Sequence, residues 1–185
     1  MIQPITILGI CGSLRQGSYN RALLRAASEL LPDGVQLMTA EIGDLPLFNQ
    51  DFEKDPPPIV QTFKQTVRAA DAILFASPEY NYSIAGVLKN AIDWASRPYG
   101  DNSWEGKPVA IIGASSGLSG TMRAQYHLRQ TFVFLDMRPI NRPEVFVTNA
   151  AEHFDATGNL TDEKTRQKLE ELLMALTVWT RQLSA

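Results

Sequence analysis

The chain has 185 residues and a mass of 20.5 kDa, is 44% hydrophobic and 20% charged, and carries a net charge of −3 with a pI near 5.4. That length predicts one domain around one core, and the mild acidity argues against a nucleic-acid surface, which is normally strongly basic. No apolar run approaches the roughly 18 residues of a membrane span, and Cys11, the only cysteine, leaves neither an intrachain disulfide nor a cysteine metal cluster.

Met1-Ile2-Gln3-Pro4 leads into the first apolar run with neither a basic region nor a small-residue cleavage site, so a cytoplasmic protein is expected. Ile5 to Cys11 reads as a strand buried on both faces, with Cys11 a small packed hydrophobe at its end. Leu23, Leu24, Ala27 and Leu31 mark the apolar face of a first helix, and Val35 to Met38 a second strand. Phe48 to Pro58 is a surface connection, after which Val60, Phe63 and Val67 mark a helix that opens at the prolines Pro56 to Pro58. Ala72 to Ala76 is a third strand. Ile84, Val87, Leu88, Ala91, Ile92 and Ala95 then keep helical spacing, and Ser83 is placed to cap that helix. Val109 to Gly113 is a fourth strand, Thr121 to Leu135 a fourth helix and Val145 to Val147 a fifth strand. A last helix runs from Asp162 to about Gln182, with Thr161 as its cap and Leu169, Leu172, Leu173, Leu176 and Trp179 on its buried face. Alternating strands and helices predict an α/β three-layer sandwich: a five-stranded parallel sheet of order 2-1-3-4-5 with helices on both faces.

The loop that leaves the first strand is Gly12-Ser13-Leu14-Arg15-Gln16-Gly17-Ser18-Tyr19-Asn20. Ser13, Ser18, Asn20 and Arg15 put three neutral hydrogen-bonding groups and one guanidinium where a helix begins, and free N–H groups at a helix start favour an anion. The loop lacks the lysine of a triphosphate loop and the repeated glycines of a dinucleotide loop. It suits a single terminal phosphate, as on FMN. The plainer alternative is a turn in which Ser18 only caps the helix.

In a doubly wound sheet ligands sit beyond the carboxyl ends of the strands at the switch point. The loops after strands three and four should therefore matter. Ser77-Pro78-Glu79-Tyr80-Asn81-Tyr82-Ser83 offers a rigid proline, two aromatic rings and several polar groups, the wall a flat heteroaromatic ring needs; it also reads as a capped turn. Ala114-Ser115-Ser116-Gly117-Leu118-Ser119-Gly120-Thr121 is small and hydroxyl-rich, which lets backbone approach a ligand closely or simply marks a flexible loop.

Together, Gly12-Ser13-Leu14-Arg15-x-Gly17-Ser18-x-Asn20, Pro78-Glu79-Tyr80-Asn81-x-Ser83 and Gly86-x-Leu88-Lys89-Asn90-Ala91-Ile92-Asp93-Trp94 resemble the NAD(P)H-dependent FMN reductase family, a flavodoxin-like group. The tract Arg123 to Gln130, followed by Phe134-Leu135-Asp136, is similar to a bacterial branch whose members reduce quinones, azo dyes and chromate. The resemblance implies that Ser13, Arg15, Ser18 and Asn20 hold the FMN phosphate. It implies that Pro78, Glu79, Tyr80 and Asn81, with Ser83 nearby, hold the ring and ribityl chain, and that Ser115, Ser116 and Gly117 lie at the ring's other edge. It further implies that one flavin face stays open for NADPH or NADH and then for the acceptor in a ping-pong cycle. The chemistry then lies with FMN, with no catalytic side chain; Glu79 is expected to be solvated or at a subunit contact rather than a proton donor.

The fourth helix is too apolar for one buried stripe, since Met122, Tyr126, Phe132, Val133, Phe134 and Leu135 spread around it. A second covered face is expected, supplied by the same chain or by another subunit. The resemblance implies a homodimer or a dimer of dimers, with Arg123, Tyr126 and Glu144 at the contact. His127 and His153 are far apart in sequence and stand near no cysteine or carboxylate pair, so no metal is expected. A flavodoxin-type electron carrier, or a non-catalytic module on the same fold, are the competing readings; a carrier would lack the loop arginine and be more acidic.

Overall fold

A computed structural model describes residues 4–184, so the Met1-Ile2-Gln3 part of the lead-in lies outside the described residues. The elements follow in the order β1 (Ile5–Cys11), α1 (Tyr19–Glu29), β2 (Val35–Ala40), α2 (Pro58–Ala69), β3 (Ala72–Ala76), β4 (Glu79–Tyr80), β5 (Ser83–Ile84), α3 (Gly86–Ala95), β6 (Pro108–Ala114), α4 (Met122–Leu135), β7 (Arg138–Pro139), β8 (Val145–Val147) and α5 (Glu163–Leu183). The main sheet runs β2-β1-β3-β6 in parallel, and the fifth position is shared. β7 pairs with Pro108 and Val109 at the start of β6, whereas β8 pairs with Ile112 to Ala114 at its end. The expected order thus holds, with one strand replaced by two short ones.

The continuous apolar runs of β1, β3 and β6 are buried on both faces because helices cover both. On one face Ile7, Leu74 and Ile112 pack with Leu23, Leu24 and Ala27 of α1 and Leu169, Leu172, Leu173 and Leu176 of α5. On the other, Leu8, Ile10, Ile73 and Phe75 pack with α2 (Val60, Phe63, Val67), α3 (Leu88, Ala91, Ile92) and α4 (Leu128, Phe132, Leu135). β2 mixes half-buried and exposed positions, alternating from Val35 to Met38, as an edge strand does.

Three local expectations are corrected. Ser83 does not cap α3: Ser83 and Ile84 form β5, antiparallel to Glu79 and Tyr80, and the helix starts two residues later at Gly86. Asn81 and Tyr82, both at positive φ (50° and 64°), turn this hairpin as a primed two-residue turn does. Thr161 does not cap α5 either. Asp162 Oδ2 accepts from the Thr165 N–H at 2.8 Å and from its hydroxyl at 2.7 Å, while Thr161 Oγ1 donates to the His153 carbonyl. The carboxylate wins because it reaches the amide of the third helical residue and is favoured by the helix dipole. Finally, α1 ends at Glu29, leaving Leu31 beyond it and half-buried against the core.

Candidate functional site

A cleft of about 460 Å³ opens where the loops after β1, β3 and β6 converge at the carboxyl edge of the sheet. Ser13, Arg15, Ser18, Asn20, Pro78, Glu79, Tyr80, Ser115, Ser116 and Gly117 all line it. Asn81 and Ser83 do not: Asn81 is exposed at the hairpin tip, and the Ser83 hydroxyl pairs with His127 Nδ1 at 3.0 Å. Tyr19 and Ala114 line the cleft without having been singled out. Both are neighbours of polar positions, and nothing in their own chemistry marks them.

The convergence of these loops depends on two missing side chains. A Cβ on Gly12 would lie 2.8 Å from Pro78 Cδ, so the loop after β1 touches the loop after β3 directly. A Cβ on Gly113 would fall 1.9 Å from Thr121 Oγ1 and 2.7 Å from the Ser77 carbonyl. The space goes to Thr121, fully buried, whose hydroxyl accepts from Gln125 Nε2.

At one end, Ser18 Oγ accepts from the Arg21 N–H (3.4 Å) and caps α1 while also facing the cleft. From Ser13 to Asn20 no backbone N–H finds an acceptor among the described residues. Arg15 is exposed, has no carboxylate partner among the described residues, and holds its guanidinium 5.6 Å from the Tyr19 ring centroid. A run of unanswered donors beside a helix start and a free guanidinium is an arrangement that favours an anion. Asn20 departs from its expected use. Its buried side-chain amide donates to the Ala114 carbonyl and accepts from the Ala114 N–H, both at 2.9 Å, so it ties the first loop to the end of β6 and leaves only its backbone N–H for an anion. Cys11 is buried just before this loop, and burial pushes its thiol above the ordinary range.

At the other end the wall is the β4–β5 hairpin. Pro78 is buried and Tyr80 is exposed at 55%. The Glu79 carboxylate is not solvated, against one of the two expectations. Its side chain is 6% exposed and accepts from Arg123 Nε at 2.6 Å, from the Arg123 and Ala124 N–H groups at 3.0 and 3.2 Å, and from Ser119 Oγ at 3.3 Å. Burial alone would raise this carboxyl; the guanidinium and amides more than offset it and hold it below the usual range. Arg123 in turn sits 3.6 Å from the centroid of the Tyr82 ring. Across the cleft, Ser115 Oγ accepts from the Gly117 N–H, and the Ser115 N–H donates to Val147 of β8. Outside the cleft, α4 leaves Tyr126, Val133 and Phe134 exposed, and Glu144 is half-buried without an ion pair among the described residues. The second apolar face of α4 is therefore not covered by its own chain.

This geometry, a phosphate-type cradle after β1 and a flat cleft at the switch point of a 2-1-3 sheet, defines a flavodoxin-like mononucleotide-binding protein. The model of the NADPH-dependent FMN reductase family matches residues 5–152. The chain is 55% identical over 184 residues to an NAD(P)H-dependent FMN reductase of Pseudomonas aeruginosa, covering 99% of both. It is 51% identical over 183 residues to an NAD(P)H:quinone oxidoreductase of Solanum tuberosum, covering 94% of this chain and 92% of that one. A solved NAD(P)H:(acceptor) oxidoreductase flavoenzyme of Paracoccus denitrificans superposes with a TM-score of 0.89 at 39% identity, covering 96% of this chain and 98% of that one. The chain belongs to the NADPH-dependent FMN reductase family, a family of oxidoreductases.

Proposed function

We propose that the chain binds FMN in the cleft and passes electrons from NADPH or NADH to small acceptors, with quinones foremost and azo compounds, chromate or free flavin as further candidates, in a ping-pong cycle. The observation that carries this reading is the run of unanswered N–H groups from Ser13 to Asn20 beside Arg15, at one end of a cleft whose other end is a flat wall. When bound, FMN supplies a hydride acceptor and an electron relay. The residues present fit it. Backbone N–H groups with Ser13, Ser18 and Arg15 hold a terminal phosphate. Pro78 and Tyr80 give the ring an apolar face to lie on, and Ser115, Ser116 and Gly117 supply small polar groups at its edge. The exposed mouth at Tyr80 and Ser116 leaves room for a second planar molecule, so donor and acceptor use the same opening in turn.

No side chain of the cleft is assigned a proton-transfer role. The carboxylate of the wall, Glu79, is engaged by Arg123 and the start of α4. The protein's part is orientation and electrostatics. The uncovered face of α4 supports a homodimer or a dimer of dimers, with Arg123, Tyr126 and Glu144 near the contact. The reading is tested by steady-state kinetics of the FMN-loaded protein with each nicotinamide nucleotide against a panel of quinones, azo dyes, chromate and free flavin. Parallel double-reciprocal lines and direct NAD(P)H oxidation support it; flavin binding without NAD(P)H oxidation would instead mark an electron carrier.

A further inference from the structure

Helix α4 begins without a cap of its own. Its leading residue, Thr121, is left-handed (φ 74°) and makes no capping bond, because its hydroxyl is turned under Gly113 and taken by Gln125. The Met122 N–H donates to the Ser119 carbonyl, but the next two amides of the helix would be orphaned. They are answered from 44 residues upstream, by the carboxylate of Glu79, which accepts from the Arg123 and Ala124 N–H groups. The same carboxylate holds the Arg123 side chain and the Ser119 hydroxyl, and Arg123 Nη2 also donates to Ser119 Oγ at 2.8 Å.

We infer that Glu79 is a positioning residue for the flavin ring: by serving as the remote cap of α4 it fixes the distance between the β4–β5 hairpin and the loop after β6, the two walls between which the ring is to lie. The inference rests on the FMN reading above. Glu79 lines one wall, and Ser119 lies in the loop that forms the other, two residues beyond Gly117. A charge-assisted group with four donors in a low-exposure setting is stiff, and leaving one of its partners unanswered is costly. Hairpins of two residues per strand have little stability of their own. This one is held to α4 by Glu79 with Arg123, by Tyr82 under Arg123 and by Ser83 with His127; of these only Glu79 reaches the opposing loop as well. Glu79 acts through the hairpin and the loop.

The test compares FMN and riboflavin binding to the full chain, followed by flavin fluorescence quenching and by the visible circular dichroism of the bound ring. Glu79→Gln should weaken both flavins about equally, by about tenfold, and change the visible dichroism, because the ring and not the phosphate loses its seat. Asp162→Ala removes a helix cap of the same kind at the start of α5, away from the cleft, and should lower stability without altering either flavin readout. Wild-type affinities and an unchanged spectrum in Glu79→Gln overturn the inference, as does a loss confined to FMN. Should Glu79→Gln fail to fold, Ser119→Ala decides by the same readouts: a loss of about threefold for both flavins supports the inference, and wild-type binding overturns it. If the unaltered protein binds neither flavin, it is the FMN reading that fails, and the two failures are thereby distinct.

Discussion

The two ends of the cleft are built on opposite principles. The phosphate-side end is a single contiguous loop, Ser13 to Asn20, whose donors, cap and guanidinium all lie within eight residues and whose shape follows from a strand running into a helix. The ring-side end is assembled from pieces far apart in sequence: the hairpin at residues 79–84, the loop after β6 and the first turn of α4, joined by Glu79, Arg123, Ser83 and His127. A local end is fixed by its own sequence. A composite end exists only once the sheet has brought its pieces together, and it inherits any error in that packing.

The largest expected effect falls on the composite end. Gly113→Ala places a methyl group where Thr121 Oγ1 and the Ser77 carbonyl already are, so Thr121 must leave its site and the start of α4 with it. A loss of about 3 kcal/mol or more is expected, or a fall of roughly 6–12 °C in the melting midpoint. A melt within a degree of the parent would show that this end is softer than its geometry implies. Next comes the local end. Arg15→Ala should weaken FMN by about 1.5–3 kcal/mol, about ten- to a hundredfold, and leave riboflavin nearly unchanged, since only FMN carries the phosphate. Lysine should restore part of the loss, having charge without the planar fork. Equal losses for the two flavins would dissolve the distinction between the ends.

The same contrast decides what could be read in advance. β1, β3, β6 and the strand order are legible because a run such as Ile5 to Cys11 or Val109 to Gly113 admits few alternatives, and the cradle is legible because its chemistry is contiguous. Ser83 misled because the apolar spacing that marks α3 extends back to Ile84, while the hairpin's signal is weak. Its turn is Asn81-Tyr82, and a tyrosine at positive φ lacks the glycine that announces such turns. Asn20 is polar and sits in the loop, yet its partner is Ala114, 94 positions on. Glu79 has no local feature that separates a solvated carboxylate from the cap of a distant helix. Thr161 and Asp162 are adjacent and both able to cap; the choice is made by His153, whose carbonyl takes the threonine hydroxyl.

If the ring-side end continues onto the outward face of α4, Glu144→Ala should lower the oligomeric order at micromolar concentration while leaving the melting curve cooperative. Light scattering at several concentrations reads this, and an unchanged mass places the contact elsewhere. The smallest effect concerns acid. Asp155 closes the turn that lies behind α1, accepting from the Asn159 N–H and from the Thr157 hydroxyl, and is pulled down to about 2 from 3.8. A carboxyl held low in the folded state contributes its full share above its unfolded value and loses it as pH falls through the folded one. Asp155→Asn should therefore flatten the decline of the melting midpoint between about pH 4 and about pH 2, where the parent keeps falling. An identical decline in both proteins would show that this turn contributes nothing to the acid response.

The divided fifth strand has a consequence for how copies of this protein behave at high concentration. An edge strand offers a row of backbone donors and acceptors on which a strand from another molecule can grow. Here that border offers segments of only two and three residues, β7 and β8, and Pro139 lacks the N–H needed to propagate a ladder. The opposite border, the six-residue β2 with Met38 more than half exposed, has no such interruption. Intermolecular strand addition, the first step towards insoluble aggregates, is thus blocked at one margin of the sheet and directed to the other.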